Sequence, residues 1–129
     1  MVIGRFAPTP SGPLHLGSLL SAVGSYCAAK SQNGQWLLRI EDVDTPRVVK
    51  GASNDILNTL EAFGFEWDGP IMYQSERLDA YQSAMQQLIN DGHIFACECT
   101  RKALYAEQHR VGPLGLIYPG HCRNKQLNY

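Results

Sequence analysis

The chain has 129 residues, 44% hydrophobic and 18% charged, with 11 basic against 12 acidic side chains and a formal net charge of −1. That balance suits one ordinary globular domain and argues against a surface coated with positive charge to grip nucleic acid, leaving open a local basic patch or a nucleic acid contacted mainly by residues outside this chain. No apolar run approaches the roughly 20 residues of a membrane span, and MVIGRFAPTP lacks a basic stretch followed by an apolar one, so the expectation is a cytoplasmic protein without secretory signal or membrane partner.

Residues 2–7 (VIGRFA) form a short apolar run closed by Pro8 and Pro10 and read as a buried strand. The prolines and Gly12 of PTPSGP exclude regular structure. A helix is predicted over residues 16–30, with Leu19, Leu20, Val23 and Cys27 on one face and Cys27 as a buried packing residue. Asn33 and Gly34 turn the chain into a second strand, QWLLRIE at residues 35–41. A second helix fits residues 52–63, with Ile56, Leu57, Leu60 and Phe63 inward. A third fits residues 76–90, capped by Ser75 and stopped by Asp91-Gly92, with Leu78, Tyr81, Met85, Leu88 and Ile89 on its apolar side. HIFAC at residues 93–97 is strand-like, and a short helix over residues 100–109 precedes a loop rich in glycine and proline.

Strand, helix, strand, helix in that order predicts an α/β fold built on a parallel, right-handed βαβ arrangement. Two or three strands are countable where a doubly wound sheet has five or six. The expected organisation is half of a Rossmann-like domain over residues 1–92 and a small insertion over residues 93–129, with the rest of the fold absent. An unpaired, apolar sheet edge would leave such a half marginally stable.

The loop after the first strand then opens a helix, which is where ligands of α/β sheets bind. The helix start offers free N–H groups and partial positive charge suited to phosphate. Gly17 allows close approach to the backbone, and His15 is placed to donate to a phosphoryl oxygen. The segment is neither a P-loop nor a dinucleotide fingerprint, and residue chemistry alone weighs equally for a proline-rich turn with a capping histidine. At the end of the second strand, Glu41 and Asp44 suit metal, acid–base work or an ammonium partner, against the plain alternative of solvated loop charges. Cys97 and Cys99, followed by Cys122, offer three thiolates to a zinc ion that wants four ligands, and the chemistry suggests His121 as the fourth. The competing reading is a pair of free cysteines in a short strand. Without a secretion signal a disulfide framework is not expected.

RFAPTPSGPLHLGS resembles the "HIGH" signature of class I aminoacyl-tRNA synthetases in its glutamyl branch, with Ser18 where the full signature has a second histidine. LRIEDVDTPR is similar to that branch's "LRIEDTD" motif. The resemblance implies a partial Rossmann-type class I synthetase fold that activates L-glutamate with ATP and Mg2+. Arg5, Phe6, Ala7, Pro8, Thr9 and Glu41 would hold glutamate, Arg5 on a carboxylate and Glu41 on the α-ammonium. Pro8, Ser11, Gly12, His15, Gly17 and Ser18 would hold ATP, with His15 and Gly17 at the reacting phosphate and Asp44 towards the acceptor side. Catalysis there is positioning and charge stabilisation rather than a covalent intermediate.

C-x-C followed by Y-x-x-x-C, together with GSLLSAVGSY, is similar to the glutamyl-queuosine tRNA(Asp) synthetases. That likeness implies a structural zinc on Cys97, Cys99, Tyr118 and Cys122, which puts Tyr118 ahead of His121. It also implies tRNA-independent activation, transfer to the queuosine base of tRNA(Asp), and a monomer. The family's lysine-rich "KMSKS" loop and the later residues of its glutamate pocket do not occur in these 129 residues. The chain therefore reads as truncated and inactive, or nearly so, by itself. The front of an ordinary glutamyl-tRNA synthetase and a non-catalytic zinc module are the competing readings.

Overall fold

The computed structural model describes residues 1–106, 111–125 and 127. The chain divides into two compact units, Met1–Asp79 and Ala80–Tyr129.

In the first unit, β1 (Ile3–Phe6) leads through a loop into α1 (Leu16–Lys30) and returns as β2 (Gln35–Ile40). A short 3-10 turn at Thr45–Arg47 precedes α2 (Ala52–Ala62), and β3 is only Met72–Tyr73. The sheet order is β1-β2-β3, all parallel, with Phe6 opposite Leu38 and Ile40 opposite Tyr73. The expected α/β, Rossmann-like arrangement is therefore present. Pairing in register puts Phe6, Trp36, Leu38 and Ile40 on one sheet face and Arg5, Leu37 and Arg39 on the other.

The first face carries the core. Phe6, Trp36 and Leu38 pack with Ala22 and Ala29 of α1, Ile56 and Leu60 of α2, and Phe65. Trp36 has no exposure; it stacks on Phe65 at 5.4 Å between ring centroids, and Tyr26 meets its edge at 5.2 Å. Its indole N–H donates to Ser25 Oγ at 2.9 Å.

α1 does not bury the face that its large apolar residues suggest. Leu20 is 62% exposed, Val23 is 43% exposed, and Cys27 lies on the surface rather than in the packing. The helix comes too close to β1 for large side chains: a Cβ on Gly4 would lie 2.9 Å from Ala29 Cβ and 3.0 Å from the Ser25 carbonyl oxygen. Small residues therefore make that contact. The turn after α1 is as tight. Asn33 takes a left-handed φ of 52°, which asparagine tolerates, and a Cβ on Gly34 would lie 2.4 Å from the Val2 carbonyl oxygen.

Three further expectations are corrected. Phe63 is 65% exposed, because the chain leaves α2 there and Phe65 enters the core instead. α3 (Leu78–Asn90) buries no residue, and Leu78, Tyr81, Met85 and Leu88 are all exposed. Ser75 lies in a 3-10 turn (Gln74–Arg77) ahead of α3, and bonds to Asp42 rather than capping the helix.

In the second unit, residues 93–97 are irregular rather than a strand. α4 covers Arg101–Ala106, while the rest of the helix expected to residue 109 lies outside the described residues. A two-stranded antiparallel ribbon, β4 (Val111–Gly112) with β5 (Gly115–Leu116), occupies the loop rich in glycine and proline. Among the described residues, no helix is long and apolar enough to cross a membrane.

Asp68 locks the first unit from outside the sheet. Its carboxylate accepts from the Trp36 N–H and from Lys30 Nζ, both at 2.7 Å, tying the end of α1 to the start of β2. Lys30 and then the Trp36 N–H hold the Asp68 carboxyl below its ordinary range. A group lowered on folding stabilises fully above its unfolded value, about 3.9, and loses that contribution as pH falls through the folded value. Asp68→Asn is expected to lower stability at neutral pH, with the gap from the unsubstituted chain closing at strongly acid pH. Urea unfolding at stepped pH checks this.

Candidate active site

The loop from β1 to α1 is held at three points. The Glu41 N–H donates to the Pro8 carbonyl at 2.9 Å, the Val49 N–H donates to the Pro10 carbonyl at 2.9 Å, and Pro10 is fully buried. Gly12 sits at φ 142°, where a side chain would be strained. His15 then caps α1: its Nδ1 accepts from the Ser18 N–H at 3.1 Å. A ring nitrogen that accepts carries no proton, so in the neutral imidazole the proton is on Nε2, 3.0 Å from Ser18 Oγ. A Cβ on Gly17 would stand 3.1 Å from His15 Cε1. Gly17 thus makes room for the folded-back imidazole, a role that its sequence position alone did not disclose.

These constraints shape a cleft of about 340 Å³ at the C-terminal end of β1. Phe6, Ala7, Pro8, Thr9, Ser11, Gly12, His15 and Ser18 all line it. Arg5, Gly17 and Glu41 are not among its lining residues. Glu41 nonetheless adjoins the loop through its backbone bond to Pro8, and its carboxylate pairs with Arg39. Pro13, Leu14, Ser21 and Arg47 also line the cleft. Arg47 is the member most difficult to foresee: its Nε donates to Asp44 Oδ2 at 2.6 Å, and the one-turn spacing in DTPR is the signal that places the pair together. Beyond Glu41, Asp42 accepts from the Ser75 N–H at 2.9 Å and from its hydroxyl at 2.6 Å. Burial opposes charge on Asp42, but the Ser75 bonds together with the backbone N–H groups of Asp42 and Gln74 outweigh it, and the carboxyl stays below its ordinary range.

The second unit has its own cluster. The sulfurs of Cys97, Cys99 and Cys122 lie within 4.8 Å of one another, and no His, Asp or Glu atom belongs to that group among the described residues. The Tyr118 hydroxyl is 3.4 Å from Cys97 Sγ and 3.7 Å from Cys99 Sγ, while Cys99 and Cys122 sulfurs are 3.4 Å apart. A tetrahedral ion with bonds of about 2.3 Å to sulfur and about 2.0 Å to oxygen spaces its ligand atoms about 3.5–3.8 Å apart, and these three separations lie close to that range. The Tyr118 hydroxyl first, then the Glu98 N–H, pull the Cys122 thiol down to about 7. Tyr118 also lowers Cys99, but Cys122, burial and Cys97 leave that thiol above its ordinary value. Cys97 and then Cys122 push the Tyr118 hydroxyl upward. The His121 ring lies outside the sulfur group.

A parallel sheet with a helix-opening histidine at its C-terminal edge defines a nucleotide-binding domain of the Rossmann type. Residues 1–127 match the class I tRNA synthetases (E and Q), catalytic domain, and the chain belongs to that family. It is 57% identical to the glutamyl-Q tRNA(Asp) synthetase of Dechloromonas aromatica, over 93% of this chain and 40% of that protein. It is 58% identical to that of Chromobacterium violaceum, over 94% and 40% respectively. The crystal structure of glutamate-tRNA synthetase from Elizabethkingia anophelis superposes with a TM-score of 0.68 at 37% identity, over 81% of this chain and 23% of that one. The chain thus spans about 40% of the length of these curated relatives.

Cobalt(II) titrated into the reduced chain is expected to give thiolate-to-metal charge-transfer absorption at one equivalent. Cys122→Ser should weaken that binding by more than about tenfold.

Proposed function

We propose that this chain supplies the ATP- and glutamate-binding front of an enzyme that makes glutamyl adenylate without tRNA and passes the glutamate to the queuosine base of tRNA(Asp). The observation that carries the reading is the loop of residues 8–18: Pro8, Gly12, Pro13, His15 and Ser18 frame one cleft, and the loop is tied to Glu41 by a backbone bond. The 57–58% identity to proteins named glutamyl-Q tRNA(Asp) synthetase supports the queuosine-directed form.

In this reading ATP, with Mg2+, lies along Pro8, Ser11, Gly12, Gly17 and Ser18, and the His15 Nε2–H turns from Ser18 to a phosphoryl oxygen. The glutamate α-carboxylate attacks the α-phosphorus, the bond to the bridging oxygen breaks, and pyrophosphate leaves. Arg5 holds a substrate carboxylate bidentately, Glu41 takes the ammonium, and Phe6, Ala7 and Thr9 shape the pocket. Residues 1–92 are the catalytic part, and residues 93–129 a structural zinc insertion with Cys97, Cys99, Tyr118 and Cys122 as its ligands. The protein works as a cytoplasmic monomer.

An ordinary glutamyl-tRNA synthetase is the second reading, favoured by the superposition on the Elizabethkingia anophelis enzyme. Glutamate-dependent ATP–pyrophosphate exchange without tRNA separates them. The full product of the reading frame that encodes this chain is expected to exchange without tRNA, and His15→Ala to reduce the rate about 10²–10³-fold. Exchange only with tRNA present supports the second reading, and no exchange under either condition rejects both.

A further inference from the structure

Two arginines and a glutamate share the sheet face opposite α1: Arg5 on β1, Arg39 on β2 and, two residues on, Glu41. The arginines are not equivalent. Arg5 is exposed, whereas the Arg39 side chain is 23% exposed and its Nε is buried with no hydrogen-bond partner. A guanidinium seated in this way cannot turn its Nε edge to a ligand. It presents Nη2, and that nitrogen donates to Glu41 Oε1. Glu41 is half-buried and fixed from its own backbone by the bond to Pro8. A carboxylate accepts on both oxygens, so with Oε1 held by Arg39, Oε2 is the atom left to meet a substrate cation.

We propose that Arg39 is a positioning residue for ammonium recognition: it holds the Glu41 carboxylate in one rotamer, and touches no substrate itself. This rests on the glutamate reading above and adds a residue to it. Arginine suits the task because its planar fork fixes a direction as well as a charge. The pair also sharpens selectivity. An acid without an α-ammonium gains nothing from an oriented Glu41, so Arg39 favours amino acids over plain dicarboxylates at the same pocket.

The test compares glutamate with glutarate, which keeps both carboxylates and lacks the ammonium, using exchange by the full product of the reading frame. Losing a hydrogen bond between charged groups corresponds to roughly 10- to 100-fold. Arg39→Gln is expected to raise the KM for glutamate by that factor, leave the KM for ATP unchanged, and leave glutarate inhibition unchanged. Arg39→Lys should recover part of the loss, and it carries the same comparison where Arg39→Gln fails to fold. The double variant with Glu41→Gln should be no worse than Glu41→Gln alone. An unchanged KM for glutamate, or equal weakening of glutamate and glutarate, overturns the proposal while the glutamate reading stands. No glutamate-dependent exchange by the unsubstituted protein overturns that reading and the proposal with it.

Discussion

Parallel pairing of β1 with β2 sets Phe6 beside Leu38, and the division of labour in the first unit follows from that register. With Phe6 and Leu38 turned to the helices, Trp36 and Ile40 must turn the same way, and Arg5 and Arg39 must turn to the other face. A slip of β2 by one residue would put Arg39 under α1 and Trp36 on the far side. The Gly34 turn and the Asp68 bonds to Lys30 and Trp36 act at one end of this pairing, and the Glu41–Pro8 bond acts at the other. The cleft loop therefore hangs from a strand pair fixed at both ends.

Within the loop, rigidity comes from removing alternatives rather than from adding contacts. Proline fixes φ, and Pro10 is buried besides. The helix start is finished by His15, a side chain that serves as the cap through Nδ1 while keeping a proton on Nε2. The same ring can hold the local structure and face a ligand because its two nitrogens do different work. Ser18 completes the arrangement with a backbone donor and a hydroxyl partner, the two functions that fix the ring plane.

The loop and the sulfur cluster were the most legible parts of the sequence, because proline, glycine, histidine and cysteine at short spacing restrict the chain locally. Of the loop residues singled out from sequence, only Gly17 fails to line the cleft, and the three cysteine sulfurs lie within 4.8 Å of one another with the Tyr118 hydroxyl beside two of them. Helix faces were less legible. The periodicity of Leu20, Val23 and Cys27 gives the direction of an apolar stripe but not which surface the helix buries. Ala22, Ser25 and Ala29 take that role for the reason that hydrophobicity overlooks, their small size. β3 escaped detection because two residues carry no period, and its pairing with Arg39 and Ile40 is settled by the sheet rather than by its own sequence. Arg47 reached the cleft through a fold-dependent turn, so only its pairing with Asp44 was written locally.

The two units solve the problem of order differently. The first buries an aromatic cluster of Phe6, Tyr26, Trp36 and Phe65 between sheet and helices. In the second, Cys122 is the one fully buried apolar side chain among the described residues. A segment of that size with so little core needs a local staple to hold one conformation. The sulfur cluster stands where such a staple would act, since Cys122, Tyr118, Cys97 and Cys99 draw together stretches about twenty residues apart in sequence. Phe95 stacks on Tyr118 at 6.0 Å, and Arg123 lies over Phe95 at 5.6 Å, so the ring of Tyr118 is fixed from the side that its hydroxyl leaves open. Order in this unit therefore radiates from the cluster outward, whereas in the first unit it radiates from Trp36.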